Sequence, residues 1–173
     1  MRARRVPPLL LGHEFAGVVE EGPPEWVGSR VAVNPLVSCG LCARCREGKS
    51  HLCPKRQLIG LNRPGAFAER VVVPLQQLHP LPPGLPVWKG ALAEPLAVAL
   101  HAVNLANPPL GTRALVIGGG AIGILLALTL TWIGTQVLVL EPREKRRDLL
   151  RELGIEAEET AEGAWPLTFD AVG

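Results

Sequence analysis

The 173-residue chain carries a net charge of +2 and is 47% apolar, a composition typical of one large or two small folded domains. So small a net charge gives no reason to expect a nucleic-acid partner, and the basic start MRARR is better explained as a solvated end than as a binding arm. The longest apolar run, 121–133, is too short to span a bilayer, and no signal-peptide pattern precedes it. We therefore expect a cytoplasmic protein without a membrane partner.

The first part of the chain contains short apolar stretches closed by glycine and proline. Residues 6–21, VPPLLLGHEFAGVVEE, contain Gly12-His13-Glu14 and then a predicted strand from Phe15 to Glu20. A second strand is predicted from Trp26 to Pro35, where polar and apolar residues alternate. Short strands bounded by turn residues favour a small β-barrel lobe.

The four cysteines of the chain follow as C-x2-C-x2-C-x7-C, at Cys39, Cys42, Cys45 and Cys53. Four thiolates separated by turns can close a tetrahedral shell around one zinc, which leaves no open position for a substrate and implies a structural role. Two disulfides fit poorly with a cytoplasmic chain. An iron–sulfur cluster is a closer rival, although the ferredoxin run has three residues before its last cysteine where this one has seven. The spacing favours zinc.

Downstream of the cysteines, the pattern changes from strands to helices. A further strand is predicted from Ala66 to Pro74, and a helix from Lys89 to Leu105 with Glu94 at its start. After the strand–turn–helix unit described next, an amphipathic helix opens at Pro142. Phe169–Val172 predicts one more strand.

The stretch from Ala114 to Glu141 has the layout of a dinucleotide-binding βαβ unit: ALVI, GGGAIG, ILLALTLTWIG and TQVLVLE. Gly118 permits the tight turn out of the first strand, Gly120 lets the backbone approach a pyrophosphate, and Gly123 lets the helix lie close to the sheet. The free N–H groups at the helix start would receive the phosphate charge. A GxGxxG alone is weak evidence, but here the strand before it and the helix after it agree.

The acid at the end of this unit indicates which dinucleotide is bound. Glu141 lies 23 residues after Gly118, where a carboxylate accepts hydrogen bonds from the adenosine ribose and repels a 2′-phosphate. This favours NAD over NADP. The candidate cofactor-binding residues are Gly118, Gly120, Ala121, Ile122, Gly123 and Glu141.

Taken together, five stretches resemble the zinc-containing medium-chain alcohol dehydrogenase family. They are GHEFAGVVEEG around His13, the cysteine lobe, GAFAERVVVP from Gly65, AEPLAVALHAV from Ala93, and GGGAIG from Gly118. The AEPLAVALHAV stretch is most similar to the polyol, sugar and threonine dehydrogenase branch. The resemblance implies an α/β protein: a partial GroES-like β-barrel catalytic domain with the zinc-binding loop in residues 1–106, then the first half of a Rossmann doubly wound parallel sheet in 107–173. It also implies hydride transfer from a small-molecule alcohol to a nicotinamide.

The same resemblance assigns a catalytic zinc to His13 and two acids. A lone histidine in a glycine turn is more often a hydrogen-bonded structural residue than a metal ligand. The family pattern reverses that expectation for His13. Glu94 is the second candidate ligand, since the branch with AEPL has an acid where other members have cysteine, and Glu14 is the third, as a ligand or as a group that orients one.

The chain also departs from the family pattern. The resemblance places a cysteine ligand and a Ser or Thr proton relay upstream of Met1, and the second half of the Rossmann sheet downstream of Gly173. We therefore expect about half of a family member, and two rivals to the dehydrogenase reading stay open: a catalytically silent zinc- and nucleotide-binding remnant, or one half of a split enzyme. We expect Phe169–Val172 to be an open sheet edge, which favours a homo-oligomer, most simply a two-fold dimer.

Overall fold

The computed structural model describes residues 7–172, so the basic start MRARR lies outside the described residues. The chain folds into two compact units, Met1–Glu94 and Pro95–Gly173. The first is built mainly of short strands and turns, and the second of parallel strands and helices. The expected α/β fold, a GroES-like lobe followed by half of a Rossmann sheet, is confirmed.

The first unit contains five short strands: β1 (Ala16–Val18), β2 (Arg30–Val33), β3 (Leu36–Val37), β4 (Gln57–Leu58) and β5 (Leu78–Pro80). Strands β1, β2 and β5 form an antiparallel sheet with β2 in the centre, and β3 pairs with β4. Buried Val31, Val33 and Ile59 form the core of this unit. The two strands predicted around β1 and β2 exist but are shorter, because residues 26–29 turn back on themselves through the bond from Ser29 N to Trp26 O.

The strand predicted from Ala66 to Pro74 is wrong. No described residue of this segment belongs to a strand, although its alternation is real: Val71 and Val73 pack against the core and Val72 is exposed. The N–H groups of residues 65–67 bond to the carbonyl groups of 10–12 instead of to a strand ladder. The apolar alternation reported which side chains are buried, and it did not report which backbone groups pair.

Helical segments in and after the first unit position several of the candidate residues. Helix α1 (Ala43–Arg46) lies among the cysteines, and a 3-10 segment (Val87–Leu92) leads into α2 (Ala93–Ala106). The helix predicted from Lys89 therefore starts four residues later as an α-helix. Glu94 lies in the first turn of α2 and not just before the helix.

The second unit contains a four-stranded parallel sheet in the order β8-β7-β6-β9. Its elements are β6 (Arg113–Ile117), α3 (Ala121–Trp132), β7 (Gln136–Leu140), α4 (Glu144–Glu152), β8 (Glu156–Glu158) and β9 (Leu167–Asp170). The last strand thus begins two residues before the predicted Phe169. Ala114, Val116 and Val139 of the sheet pack with Leu126 and Leu130 of α3 in one buried core.

Across residues 7–172, no helix combines the length and the apolar character needed to cross a bilayer.

Candidate functional site

The segment from residue 39 to residue 53 brings the four thiols together. Helix α1 begins directly after Cys42, and a 3-10 turn (Ser50–Leu52) ends directly before Cys53. The Sγ–Sγ distances are 3.5 Å for Cys42–Cys45, 3.6 Å for Cys39–Cys53 and 4.0 Å for Cys39–Cys45. All four sulfurs lie within 4.8 Å of one another.

These separations suit a single tetrahedral ion. A Zn–S bond of about 2.3 Å places tetrahedral sulfurs about 3.8 Å apart. The thiols are free and well beyond the S–S bond length of about 2.05 Å, so they are not disulfides. They also converge on one point, whereas the cysteines of an iron–sulfur cluster are spread over several irons. The donor set therefore fits zinc, held in a closed shell.

The backbone around the first cysteine favours its ionised form. Hydrogen bonds from the N–H groups of Leu41 and Cys42, and then from the thiol of Cys53, lower the pKa of Cys39 to about 6. Only a thiolate binds a metal ion well, and at neutral pH this thiol is mainly ionised. Part of the zinc site is thus prepared by the turn that carries it.

A second group of candidate ligands consists of His13, Glu14 and Glu94. Their nitrogen and carboxylate oxygen atoms all lie within 4.8 Å of one another. The first two residues directly precede β1 and Glu94 lies in the first turn of α2, so two distant parts of the first unit meet here. An imidazole with carboxylates is a common donor set for catalytic zinc, and three protein ligands leave a position open for substrate.

Electrostatics at this group favour a cation. Burial raises the pKa of the Glu94 carboxyl; His13 lowers it and Glu14 raises it again, and burial prevails. Two carboxylates close together at a half-buried place repel each other, and a bound cation removes that repulsion. Glu14 itself is exposed.

The glycine turn after β6 has the geometry that a dinucleotide phosphate requires. Gly118 adopts φ +101° and donates its N–H to the Leu140 carbonyl at 2.8 Å. A Cβ on Gly123 would collide with the carbonyl oxygen of Gly118, so the close approach of helix and turn requires glycine. Gly120 caps α3, and a Cβ there would meet nothing within 4 Å. Open space therefore lies before the free N–H groups of the helix start, which Ala121 and Ile122 continue.

Glu141 lies beside this turn and is 2% exposed. Its Oε2 accepts a hydrogen bond from Gly119 N at 2.9 Å, its Oε1 accepts one from Arg143 N at 2.9 Å, and Arg146 lies 3.4 Å from Oε2. Burial alone would raise the pKa of Glu141, but these hydrogen bonds and the Arg146 charge outweigh it and lower the pKa below its ordinary 4.5. The carboxylate is therefore ionised at neutral pH and tied to the phosphate turn.

Two contributors to this arrangement were missed by sequence reasoning. The middle glycine, Gly119, was treated as filler, yet its N–H is a direct partner of Glu141 and a Cβ on it would lie 3.1 Å from the Glu141 side chain. The helix arginines were interpreted as a solvated face, yet Arg146 pairs with Glu141 and Arg147 donates to the carbonyls of Glu141 and Pro142 at 2.8 Å. An arginine five residues after the acid, one helical turn into α4, was the available signal.

Comparisons with known proteins agree with this geometry. Residues 1–83 match the alcohol dehydrogenase GroES-like domain. A 2-dehydro-3-deoxy-L-galactonate 5-dehydrogenase from Pseudoalteromonas atlantica is 41% identical over 154 residues, which are 87% of this chain and 45% of that protein. An L-threonine 3-dehydrogenase from Deinococcus deserti is 34% identical over 173 residues, 96% of this chain and 50% of that protein.

A solved structure shows the same relation in three dimensions. A protein from Sinorhizobium meliloti, described as a zinc-binding dehydrogenase and bound to NADP, superposes with a TM-score of 0.81 at 34% identity, over 96% of this chain and 47% of that one. The chain thus spans about half the length of the curated relatives that it matches. By its GroES-like domain, its half Rossmann sheet and these relatives, the chain belongs to the zinc-containing medium-chain alcohol dehydrogenase family.

Proposed function

We propose that the protein serves in the NAD-linked oxidation of an alcohol group on a small molecule, at a zinc held by His13, Glu14 and Glu94. The observation that carries this proposal is the meeting of those three side chains within 4.8 Å, in the same unit as a complete four-thiol cluster. One metal site closed by four ligands and one with three ligands correspond to a structural and a catalytic zinc. The cysteine site would hold the zinc lobe together, and the second site would face the substrate.

The side chains of the second site have distinct tasks. A zinc ion there would supply a Lewis acid that lowers the pKa of an alcohol hydroxyl. His13 would offer a neutral ring nitrogen, and the half-buried Glu94 would offer a carboxylate whose raised pKa records the lack of a nearby cation. Glu14, which is exposed, would act either as a third ligand or as an anchor for one of the others.

For the second substrate we propose NAD rather than NADP. Glu141 is a buried, ionised carboxylate at the position where the adenosine ribose of a dinucleotide is recognised. A 2′-phosphate would meet its negative charge, and Arg146 and Arg147 are already engaged by Glu141 and the neighbouring carbonyl groups. The nicotinamide would accept the hydride. The NADP carried by the Sinorhizobium meliloti protein makes this choice one to measure.

We propose a polyol, sugar acid or threonine-like alcohol as the substrate class. The names of the matched relatives, a deoxygalactonate dehydrogenase and threonine dehydrogenases, supply the support. We further propose the cytoplasm as its location, because four free thiols ready for a metal persist in a reducing compartment. Self-association of the chain, most simply as a dimer, belongs to the same proposal.

The deciding experiment combines metal analysis, NAD titration and activity on one preparation. We expect zinc in the cysteine site, measurable NAD binding, and NADH formation with at least one member of a panel of polyols, sugar acids and threonine after zinc is added. Glu94→Gln should abolish the NADH signal and leave the cysteine zinc in place. A preparation that binds zinc and NAD but oxidises no member of the panel would favour the silent-remnant reading over an enzyme.

A further inference from the structure

The segment that carries His13 is gripped by a second segment far along the sequence. Three consecutive backbone N–H groups, at residues 65–67, donate to the carbonyl oxygens of residues 10–12 at 2.8 to 3.0 Å. The gripped carbonyls end immediately before His13. The position of this histidine is therefore set by its own backbone and by the backbone of the second segment.

The two segments approach too closely for any side chain between them. A Cβ on Gly65 would lie 2.5 Å from the carbonyl carbon of Leu11, in collision with its oxygen, and 2.6 Å from the oxygen of Gly12. These are backbone atoms, which cannot rotate aside as a flexible side chain would. A Cβ on Gly60 would meet the Gly12 carbonyl oxygen at 2.5 Å. The Leu11–Gly12 peptide is thus packed against glycine backbone at two places.

Gly65 is the more informative of the two glycines. Its φ lies outside the left-handed region, so alanine there carries no conformational penalty of its own and the only obstacle is space. Gly60 has a φ of +82°, and a substitution there would combine backbone strain with the collision. An alanine at residue 65 would displace the backbone one to two residues before His13 and Glu14.

We propose that Gly65 is a positioning residue for the His13–Glu14–Glu94 metal site, an inference that rests on the proposed function of that site. Gly65 lies outside that group of ligands, and it acts by letting the Leu11–Gly12 backbone lie against it. That contact fixes how His13 and Glu14 point towards Glu94. Groups that orient metal ligands typically change metal affinity by about 10- to 100-fold when removed.

The test is a titration of the metal-free protein with Co²⁺, followed by optical spectroscopy. The first equivalent should enter the cysteine site and give an intense thiolate-to-cobalt band, because soft sulfur ligands transfer charge to the metal. A second, weaker equivalent should give only ligand-field bands of nitrogen and oxygen ligands. For Gly65→Ala we expect the thiolate band unchanged and the second equivalent bound about 10- to 100-fold more weakly. Gly17→Ala is the matched control, since a Cβ on Gly17 in β1 of the same unit meets nothing within 4 Å.

Each other outcome contradicts the proposal. Normal binding of the second equivalent by Gly65→Ala would mean that this contact does not set the ligand geometry. Loss of the thiolate band as well would mean that Gly65 supports the fold of the whole first unit rather than one site. Absence of a second equivalent in the unmodified protein would overturn the metal site itself, and that result is seen before any variant is compared.

Discussion

At the scale of single residues, the second unit is organised around one buried carboxylate. Glu141 is almost fully buried and yet ionised, because Gly119, Arg143 and Arg146 each donate to it. The two backbone donors fix the glycine turn relative to the end of β7. A carboxylate oxygen has two lone pairs, so both oxygens can still accept a hydrogen bond from a ribose hydroxyl.

This arrangement predicts how the cofactor preference changes. In Glu141→Ala, NAD should bind about 10- to 100-fold more weakly, because hydrogen bonds to a charged group are lost, and the gap between NAD and NADP should narrow because the repulsion of the 2′-phosphate is also lost. Calorimetry with both dinucleotides measures the two effects. A preference for NADP in the unmodified chain would show that the arginines of α4, and not Glu141, determine the choice.

The pKa of Glu141 predicts a pH dependence of stability. Because its pKa in the folded protein is lower than the ordinary 4.5, the unfolded chain takes up the proton first, and the stabilisation is lost as pH falls through 4.5 and below. In Glu141→Gln this part of the loss should vanish, so urea unfolding of the second unit should depend less steeply on pH between about 5 and 3. Glu162→Gln, at an exposed carboxylate, is the control. An unchanged slope in Glu141→Gln would contradict the prediction.

At the scale of elements, the cysteine lobe and the β6–α3 turn are the two local structures that the sequence specified best. Both depend on interactions between residues close in the chain. The four thiols are brought together within 15 residues by α1 and a 3-10 turn, and the glycine turn joins a strand directly to a helix. Each should respond to mutation without the other, because they belong to different compact units.

For the cysteine lobe we expect about one tightly bound zinc per purified chain, with the His13 site weak or empty. Four converging thiolates form a closed shell, whereas the second site has three described donors, one of them exposed. Cys42→Ser should release that zinc and loosen residues 39–53 to proteolysis, while NAD binding by the second unit persists. Metal analysis tests the count: two tight zincs per chain, or iron with sulfide, would contradict it.

For the glycine turn, two neighbouring substitutions should have opposite consequences. Gly123→Ala places a Cβ against the Gly118 carbonyl oxygen and should destabilise the second unit by about 1–3 kcal/mol, as overpacking does. Gly120→Ala meets no protein atom within 4 Å, so the fold should persist while the methyl group occupies the space in front of the helix start and weakens NAD binding. Thermal unfolding and NAD titration separate the two. Equal NAD affinity in Gly120→Ala and the unmodified chain would place the pyrophosphate elsewhere.

At the scale of the whole molecule, the limits of sequence reasoning follow from the range of the interactions. Local signals located β6, α3, β7 and the cysteine turns within a few residues. The segment Ala66–Pro74 was predicted as a strand because Val71 and Val73 alternate with exposed residues, but the backbone of residues 65–67 bonds to a segment more than 50 residues earlier. The meeting of His13 with Glu94 is equally non-local. The family resemblance supplied it, since no spacing in the sequence encodes it.

The last prediction concerns self-association of the 173-residue chain. Among the described residues, β9 pairs only with β6, so its other side presents backbone N–H and C=O groups to solvent. Large apolar side chains are exposed in the same unit, including Leu110 at 90%, Trp132 at 83% and Leu105 at 73%. Exposed strand edges and apolar patches of this kind are typical of surfaces that bind another chain.

We therefore expect the chain to form a dimer or larger oligomer at micromolar concentration, measurable by sedimentation velocity or light scattering. Thr168→Lys places a charge at an exposed position of β9 and should weaken the association if the edge is the contact, because a lysine on an edge strand opposes pairing with a second strand. Trp132→Lys removes an exposed indole from α3 and reports instead on the apolar surface. Whichever substitution shifts the protein towards monomer identifies the contact, and a stable monomer of the unmodified chain would show that neither surface joins two copies.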